Sequence, residues 1–359
     1  MGLTFVDLFC GIGTIRMGME QAGHTCTYSV EWDKHKRKIY SIIFGKEPEG
    51  ADIREVRAVD IPRSDIWTFG APCQDFSIAG KREGMEGERS SLVLEVFRLV
   101  RETKEENRPK YLIYENVKGM LSSNGGRDFL GILDQMATLG YDQIEYSLLN
   151  SKNFGVPQNR ERVFTVGHLR GEGGRKIFPL GRENKKSIAI VGMLGEGFRQ
   201  NNEILGIDGI CTCLRTFQGG GIHPKILQPC VIDHNKPRFT DDIANCIDAN
   251  YHKGLDNHGQ RTGITQAISI DLKSEKSSTR RGMFKKEYVG ALDTNCDVGV
   301  TRDQRIRRLT PKECWRLQGI PDEITDKVIA GGVSDAQMYR GAGDACTVNV
   351  IYEIAKKLI

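Results

Sequence analysis

The opening of this chain, an apolar strand, a glycine turn and a helix, restricts its fold more than any other feature. Phe5-Val6-Asp7-Leu8-Phe9 has the character of a short buried strand, Cys10-Gly11-Ile12-Gly13 follows at once, and Ile15 to Ala22 runs with helical spacing to a stop at Gly23. The same alternation continues. Strand-like runs at Thr25–Val30, Ile66–Phe69, Tyr111–Tyr114, Tyr141–Leu149 and Val163–Val166 are interleaved with helical spacing from Ser91 to Val100 and from Arg127 to Leu139. Such a pattern predicts an α/β domain around a mostly parallel sheet. The glycine turn lets backbone approach a nucleotide-like ligand, with a helix N-terminus pointing at it. A dinucleotide fingerprint asks for a third glycine at position 16, where Arg16 stands, so a nicotinamide cofactor is disfavoured.

Acidic residues stand where the predicted strands end. Glu31-Trp32-Asp33 closes the second strand, a place from which a carboxylate reaches ribose hydroxyls and an aromatic ring can lie against adenine. The competing reading is an ordinary surface acid beside a half-buried core aromatic. Asp52-Ile53 offers another acid at a strand end, and Glu115-Asn116-Val117 ends the strand begun at Tyr111. A carboxylate directly after an apolar strand is rarely buried unless it is paired or used.

Between Gly70 and Gly80 lies Gly-Ala-Pro-Cys-Gln-Asp-Phe-Ser-Ile-Ala-Gly, which puts Cys73 on a loop at a strand end. That suits a working thiol as well as a small apolar side chain tucked under a loop. The polar, glycine-punctuated stretch from Lys81 to Arg89 reads as a loop able to close over a substrate. The chain has 359 residues, ten cysteines and a formal net charge of +4. No apolar run of about 18 residues and no signal peptide is present, so a soluble intracellular protein with reduced thiols is expected. The small net charge leaves any polyanion partner to local patches. Cys211, Cys213, His223, Cys230 and Cys246 fit no standard zinc spacing, and no metal is expected.

The Pro72-Cys73-Gln74 loop, Glu115-Asn116-Val117, Gln158-Asn159-Arg160-Glu161-Arg162, Arg307 to Gly319 and Gly341 to Val350 occur in one order along the chain. Together they resemble the motifs of the C5-cytosine-specific DNA methyltransferases of bacterial or phage type. The resemblance implies a Rossmann-like, S-adenosylmethionine-dependent catalytic domain with a smaller, mainly β or irregular target-recognition domain. It implies catalysis by Cys73, Glu115, Arg160 and Arg162. Cofactor contacts are implied for Phe9, Gly11, Gly13, Glu31, Trp32, Asp52, Ile53, Pro72, Leu92, Asp344 and Ala345. The expected reaction moves a methyl group to carbon 5 of a flipped-out cytosine in duplex DNA through a covalent Cys73–C6 adduct. Two alternatives are a tRNA cytosine-5 methyltransferase and an inactive DNA-binding relative. A monomer is expected, DNA-associated in the cytoplasm, with a cognate restriction endonuclease as partner.

Three positions depart from the family pattern: Ala71 replaces a phenylalanine, Asp344 an asparagine and Cys346 a valine. A carboxylate at 344 only accepts hydrogen bonds, so it would receive one from the cofactor's ammonium and repel its carboxylate. The domains are expected at 1–168 (catalytic), 169–304 (recognition), 305–328 (an organising segment) and 329–359 (a return to the first domain). Within the second, Cys213-Leu214-Arg215-Thr216, Cys246-Ile247-Asp248-Ala249 and Ala291-Leu292-Asp293-Thr294 read as recurring strand-and-loop units. Nucleic-acid contacts are expected from Gln74, Ser77, Lys81, Arg82, Arg89, Arg215, Thr216 and Gln218, and from Lys285 in the basic stretch Arg280 to Lys286.

Overall fold

The computed structural model describes residues 2–70, 91–171, 175–181, 188, 190–193, 203–206, 209–214, 224–230 and 303–358. Two compact units emerge, one formed by Met1–Asn184 with Pro311–Ile359 and the other by Lys185–Thr310.

The first unit is built on a six-stranded sheet in the order β2-β1-β3-β4-β6-β5. Its strands are β1 (Thr4–Asp7), β2 (Thr25–Ser29), β3 (Ile66–Phe69), β4 (Tyr111–Val117), β5 (Tyr141–Asn150) and β6 (Glu161–Leu169). β2, β1, β3 and β4 run parallel, whereas β6 is antiparallel to both of its neighbours. The chain leaves β1 to one side for β2 and crosses to the other side for β3. That reversal opens a crevice at the carboxyl ends of the strands, the place where open α/β sheets receive ligands.

Strand alternation sends side chains to two cores. Val6, Trp67, Phe69, Leu112 and Tyr114 face Val93, Val96, Phe97 and Val100 of α3 (Ser91–Glu102) and Ile132 and Met136 of α4 (Arg127–Thr138). Phe5, Ile66, Ile113, Phe164 and Val166 face Ile15 and Met19 of α1 (Thr14–Gln21) and Val350, Ile351 and Ile354 of α8 (Val348–Ala355). The terminal helix therefore docks back onto the first unit. Burying these aliphatic and aromatic side chains on both faces is the main stabilising contribution, each worth about 1.5–3 kcal/mol.

Four further helices complete this unit: α2 (Lys34–Phe44), α5 (Pro311–Arg316), α6 (Asp322–Ala330) and α7 (Asp335–Asp344). Pro311 starts α5, where its missing N–H costs nothing in the first turn. Cys314, Trp315 and Leu317 all point inward, and Trp315 Nε1 donates to the Met338 carbonyl of α7 at 2.9 Å. Gly341 to Asp344 forms the final turn of α7.

The described part of the second unit is a four-stranded sheet, β10-β9-β8-β7, from β7 (Ile190–Met193), β8 (Glu203–Gly206), β9 (Lys225–Cys230) and β10 (Asp303–Arg308). β8 and β9 are parallel and the outer pairs antiparallel. Ile204 and Leu205 of β8 are buried, as are Ile210 and Leu214. No described helix is long and apolar enough to cross a membrane.

Candidate active site

The crevice begins at the turn after β1. Gly11 and Gly13 have φ of 56° and 90°, in the left-handed region, and a Cβ on Gly13 would collide with the Phe44 ring. The Gly11 N–H donates to Glu31 Oε2 at 2.9 Å, and the Asp33 N–H donates to Glu31 Oε1 at 2.8 Å. Glu31 is 6% exposed, and burial raises its carboxyl above the ordinary value against the pull of Lys36 and those two amides. Each of its oxygens keeps acceptor capacity for a ligand hydroxyl. Trp32, beside it, is 69% exposed, so the half-buried core reading does not hold.

The remaining cofactor candidates divide into rim and support. Asp52 is forked onto Arg54, with Nη2 to Oδ2 at 2.6 Å, and this bond lowers its pKa. Ile53 is buried in the first core, with Phe9 and Leu92 packed against it. Asp344 neither caps α8 nor stands alone: its Oδ2 lies 2.7 Å from Lys36 Nζ. Thr347 precedes α8 and bonds instead to Ser151 and to Gln318. The Ala345 carbonyl accepts from Arg160 Nη2 at 2.8 Å.

Glu115 and Arg162 meet across β4 and β6, with Arg162 Nε 3.1 Å from Glu115 Oε1. Val117 is the residue opposite Arg162 in the register, so the guanidinium reaches back along the strand to the carboxylate. A Cβ built on Gly70 would stand 3.1 Å from Glu115 Oε2. Glu115 thus sits against the residue that opens the Cys73 loop. Arg160 is placed differently from Arg162: it is 2% exposed, and its Nη2 donates to the carbonyls of Gly343 and Ala345 at 2.9 and 2.8 Å. It clamps the end of α7 onto the start of β6.

Two further thiols lie close by. Burial pushes Cys10 and Cys346 well above the ordinary thiol value, with nearby carboxylates adding to the effect, Asp7 on Cys10 and Glu115 on Cys346. Both therefore stay protonated, and a protonated thiol is a poor nucleophile. Cys73 itself lies outside the described residues, as do Ala71, Pro72, Gln74, Ser77, Lys81, Arg82, Arg89, Arg215, Thr216, Gln218 and Lys285. The Lys81–Arg89 loop, the basic stretch at Arg280–Lys286 and most of the recurring units lie outside them too.

Three residues at this crevice escape a reading of the sequence. Lys36 sits in Lys34-His35-Lys36-Arg37-Lys38, which looks like a solvated basic face. Yet α2 starts at Asp33, whose carboxylate accepts from the His35 and Lys36 N–H groups, and this phase turns Lys36 toward Asp344. Arg340, one turn before Asp344 on α7, pairs with Asp33 Oδ2 at 3.1 Å. Asp7 is wholly buried at the end of β1 and takes a bond from Thr68 Oγ1 at 3.2 Å. Its one available signal is an acid inside an otherwise apolar strand.

The first unit is thus an open α/β sheet with its switch point at β1, a buried acid after β2 and a carboxylate–guanidinium pair on β4 and β6. The fold matches that of the Entamoeba histolytica methyltransferase EhMeth over 100% of this chain and 98% of that one, with a TM-score of 0.65 at 18% identity. Residues 3–359 match the C-5 cytosine-specific DNA methylase family, and the chain belongs to that family. Type II methyltransferase M.HpaII of Haemophilus parainfluenzae is 32% identical over 99% of this chain and 89% of its own length. Type II methyltransferase M.HhaI of Haemophilus parahaemolyticus is 30% identical over 99% of this chain and 93% of its own. The protein is a DNA (cytosine-5-)-methyltransferase.

Proposed function

We propose that the enzyme methylates carbon 5 of a cytosine flipped out of duplex DNA, through a covalent bond from Cys73 to C6 of the base. The observation that carries this is the Glu115–Arg162 pair, held against Gly70 at the mouth of the Cys73 loop. Carbon 5 of an aromatic cytosine is a weak nucleophile. Addition of the Cys73 thiolate to C6 converts the C5–C6 double bond into an enamine with nucleophilic character at C5. Glu115 takes up a proton from solvent as the base enters; as the S–C6 bond forms and electrons move toward N3, it shares that proton with N3 or donates it. Arg162, fixed by its bond to Glu115, holds the O2 side of the base. After transfer, a base or water removes the C5 proton, the S–C6 bond breaks with the electrons restoring C5=C6, and Glu115 recovers the N3 proton.

The donor fits the crevice by its chemistry. Glu31, with acceptor capacity remaining on both oxygens, suits ribose hydroxyls, and the exposed Trp32 offers a face for adenine. S-adenosylmethionine bound there would supply the electrophilic methyl. The target base cannot reach Glu115 while stacked in a duplex, which requires flipping at a cost of a few kcal/mol. The unit Lys185–Thr310 would carry target recognition, and the Lys81–Arg89 loop would close over the base. The Type II relatives support pairing with a restriction endonuclease of the same specificity; we assign the enzyme as a monomer acting on DNA inside the cell.

The test uses duplex DNA carrying 5-fluorocytosine, which blocks removal of the C5 substituent and arrests the reaction with the adduct intact. With S-adenosylmethionine present, the wild type and Cys346→Ser should form a denaturation-resistant complex and Cys73→Ser none. An unchanged yield with Cys73→Ser would move the nucleophile elsewhere. Methyl transfer to tRNA in place of DNA would select the other nucleic acid.

A further inference from the structure

Lys36 and Asp344 form an ion pair at the rim of the crevice that the chemistry above leaves unused. Lys36 Nζ lies 2.7 Å from Asp344 Oδ2, with side-chain exposures of 17% and 34%. Burial works against the Lys36 cation, but Asp344, Glu31 and Asp33 outweigh it and hold its pKa above the ordinary lysine value. Lys36 therefore stands within electrostatic reach of the acid proposed to hold the ribose. Arg340 occupies Asp33 on the same face of α2, which leaves the Lys36 ammonium for Asp344.

We infer that this pair is the recognition element for the amino-acid head of the donor: Lys36 takes the α-carboxylate and Asp344 the α-ammonium. The inference rests on the cofactor reading above and deepens it. A nucleoside joined to a zwitterion needs a hydroxyl acceptor, an anion and a cation in one crevice, and Glu31, Asp344 and Lys36 supply them. An ammonium has three donors and a carboxylate several acceptor sites, so each partner can keep its mate and accept the ligand's opposite charge. Lys36 also removes the difficulty of a carboxylate at position 344. Alone, Asp344 would repel the ligand's carboxylate; paired, the unit is neutral overall and presents both a donor and an acceptor, as an asparagine amide does.

Sign-changing coupling between the two positions tests this. Calorimetric titration compares S-adenosylhomocysteine with 5′-methylthioadenosine, which shares its nucleoside thioether and lacks the amino-acid head. Lys36→Met leaves Asp344 facing the ligand carboxylate, so affinity for S-adenosylhomocysteine should fall about thirtyfold while that for methylthioadenosine stays within about threefold. Asp344→Asn alone should cost less than about tenfold. Added to Lys36→Met, it should restore at least about fivefold, since the repelling charge is gone. Parallel losses for both ligands would make the pair a latch between α2 and α7 and overturn the inference, as would failure of Asp344→Asn to rescue Lys36→Met. A wild type that binds neither S-adenosylhomocysteine nor S-adenosylmethionine would overturn the cofactor reading itself, and the head-group assignment with it.

Discussion

Arg162 Nε and Glu115 Oε1 lie 3.1 Å apart on adjacent antiparallel strands, with side-chain exposures of 16% and 17%. The pair is half-enclosed, so the guanidinium fixes the carboxylate's direction while one edge stays open to a substrate. Glu115→Gln keeps the shape and removes the proposed proton carrier. Methyl transfer to DNA, followed with a labelled donor, should fall by about a hundredfold or more, with little change in DNA affinity. A rate within about threefold of wild type would take Glu115 out of the proton chemistry.

Arg160 acts at one remove. Its guanidinium satisfies the carbonyls of Gly343 and Ala345, on either side of Asp344. Arg160→Met would leave both acceptors without that donor in a buried place and should cost about 3 kcal/mol of stability, read as a lower urea midpoint. Cofactor affinity should fall with it, because the clamp sets where Asp344 stands. A loss under about 0.5 kcal/mol would show that other donors serve those carbonyls.

Asp7 should make stability fall as pH rises. Burial lifts its carboxyl from an ordinary 3.8 to about 7, with Glu31 adding to the rise and Thr68 and Arg16 opposing it. The folded state thus holds a proton that the unfolded state has already lost. The stability this confers is fully present below pH 3.8 and is lost as pH climbs to about 7, at a slope approaching about 1.4 kcal/mol per pH unit in mid-range. Asp7→Asn keeps the acceptor for Thr68 and cannot ionise. Urea denaturation between pH 5 and 8 should show the variant gaining on the wild type up to about pH 7 and then levelling. Parallel curves would mean that Asp7 does not titrate there.

Specificity and grip should separate within the second unit. Substitutions at Arg215, Thr216 or Gln218 should change which sequence is methylated, and Lys285→Ala should weaken binding uniformly and flatten its salt dependence. Bisulfite mapping of methylated sites reads the first effect and filter binding across salt the second. One unchanged target sequence in all the variants would place the recognition surface on other residues.

Local chemistry in the sequence determined much of this protein. Alternation of apolar runs with helical spacing announced β1 to β6, α1, α3 and α4, because strand and helix periods are properties of neighbouring residues. Pro311 marked the start of α5 and Gly23 the end of α1 for the same reason: each fixes backbone geometry where it stands. The ordered motifs carried the family, which the match over residues 3–359 bears out.

What the tertiary structure alone decided is who faces whom. Arg160 and Arg162 are two residues apart on one chain segment, yet one guanidinium clamps backbone carbonyls and the other meets Glu115. Lys36 and Asp344 are over three hundred positions apart, and no local period links them. Their pairing exists because Asp33 sets the phase of α2 and because α7, held by Trp315 and Arg160, ends where that helix begins. Asp7 read as a polar letter in an apolar strand, and burial by the surrounding layers gives it a pKa near neutrality. Charge–charge distance and desolvation are properties of the folded arrangement, so no order of residues states them directly.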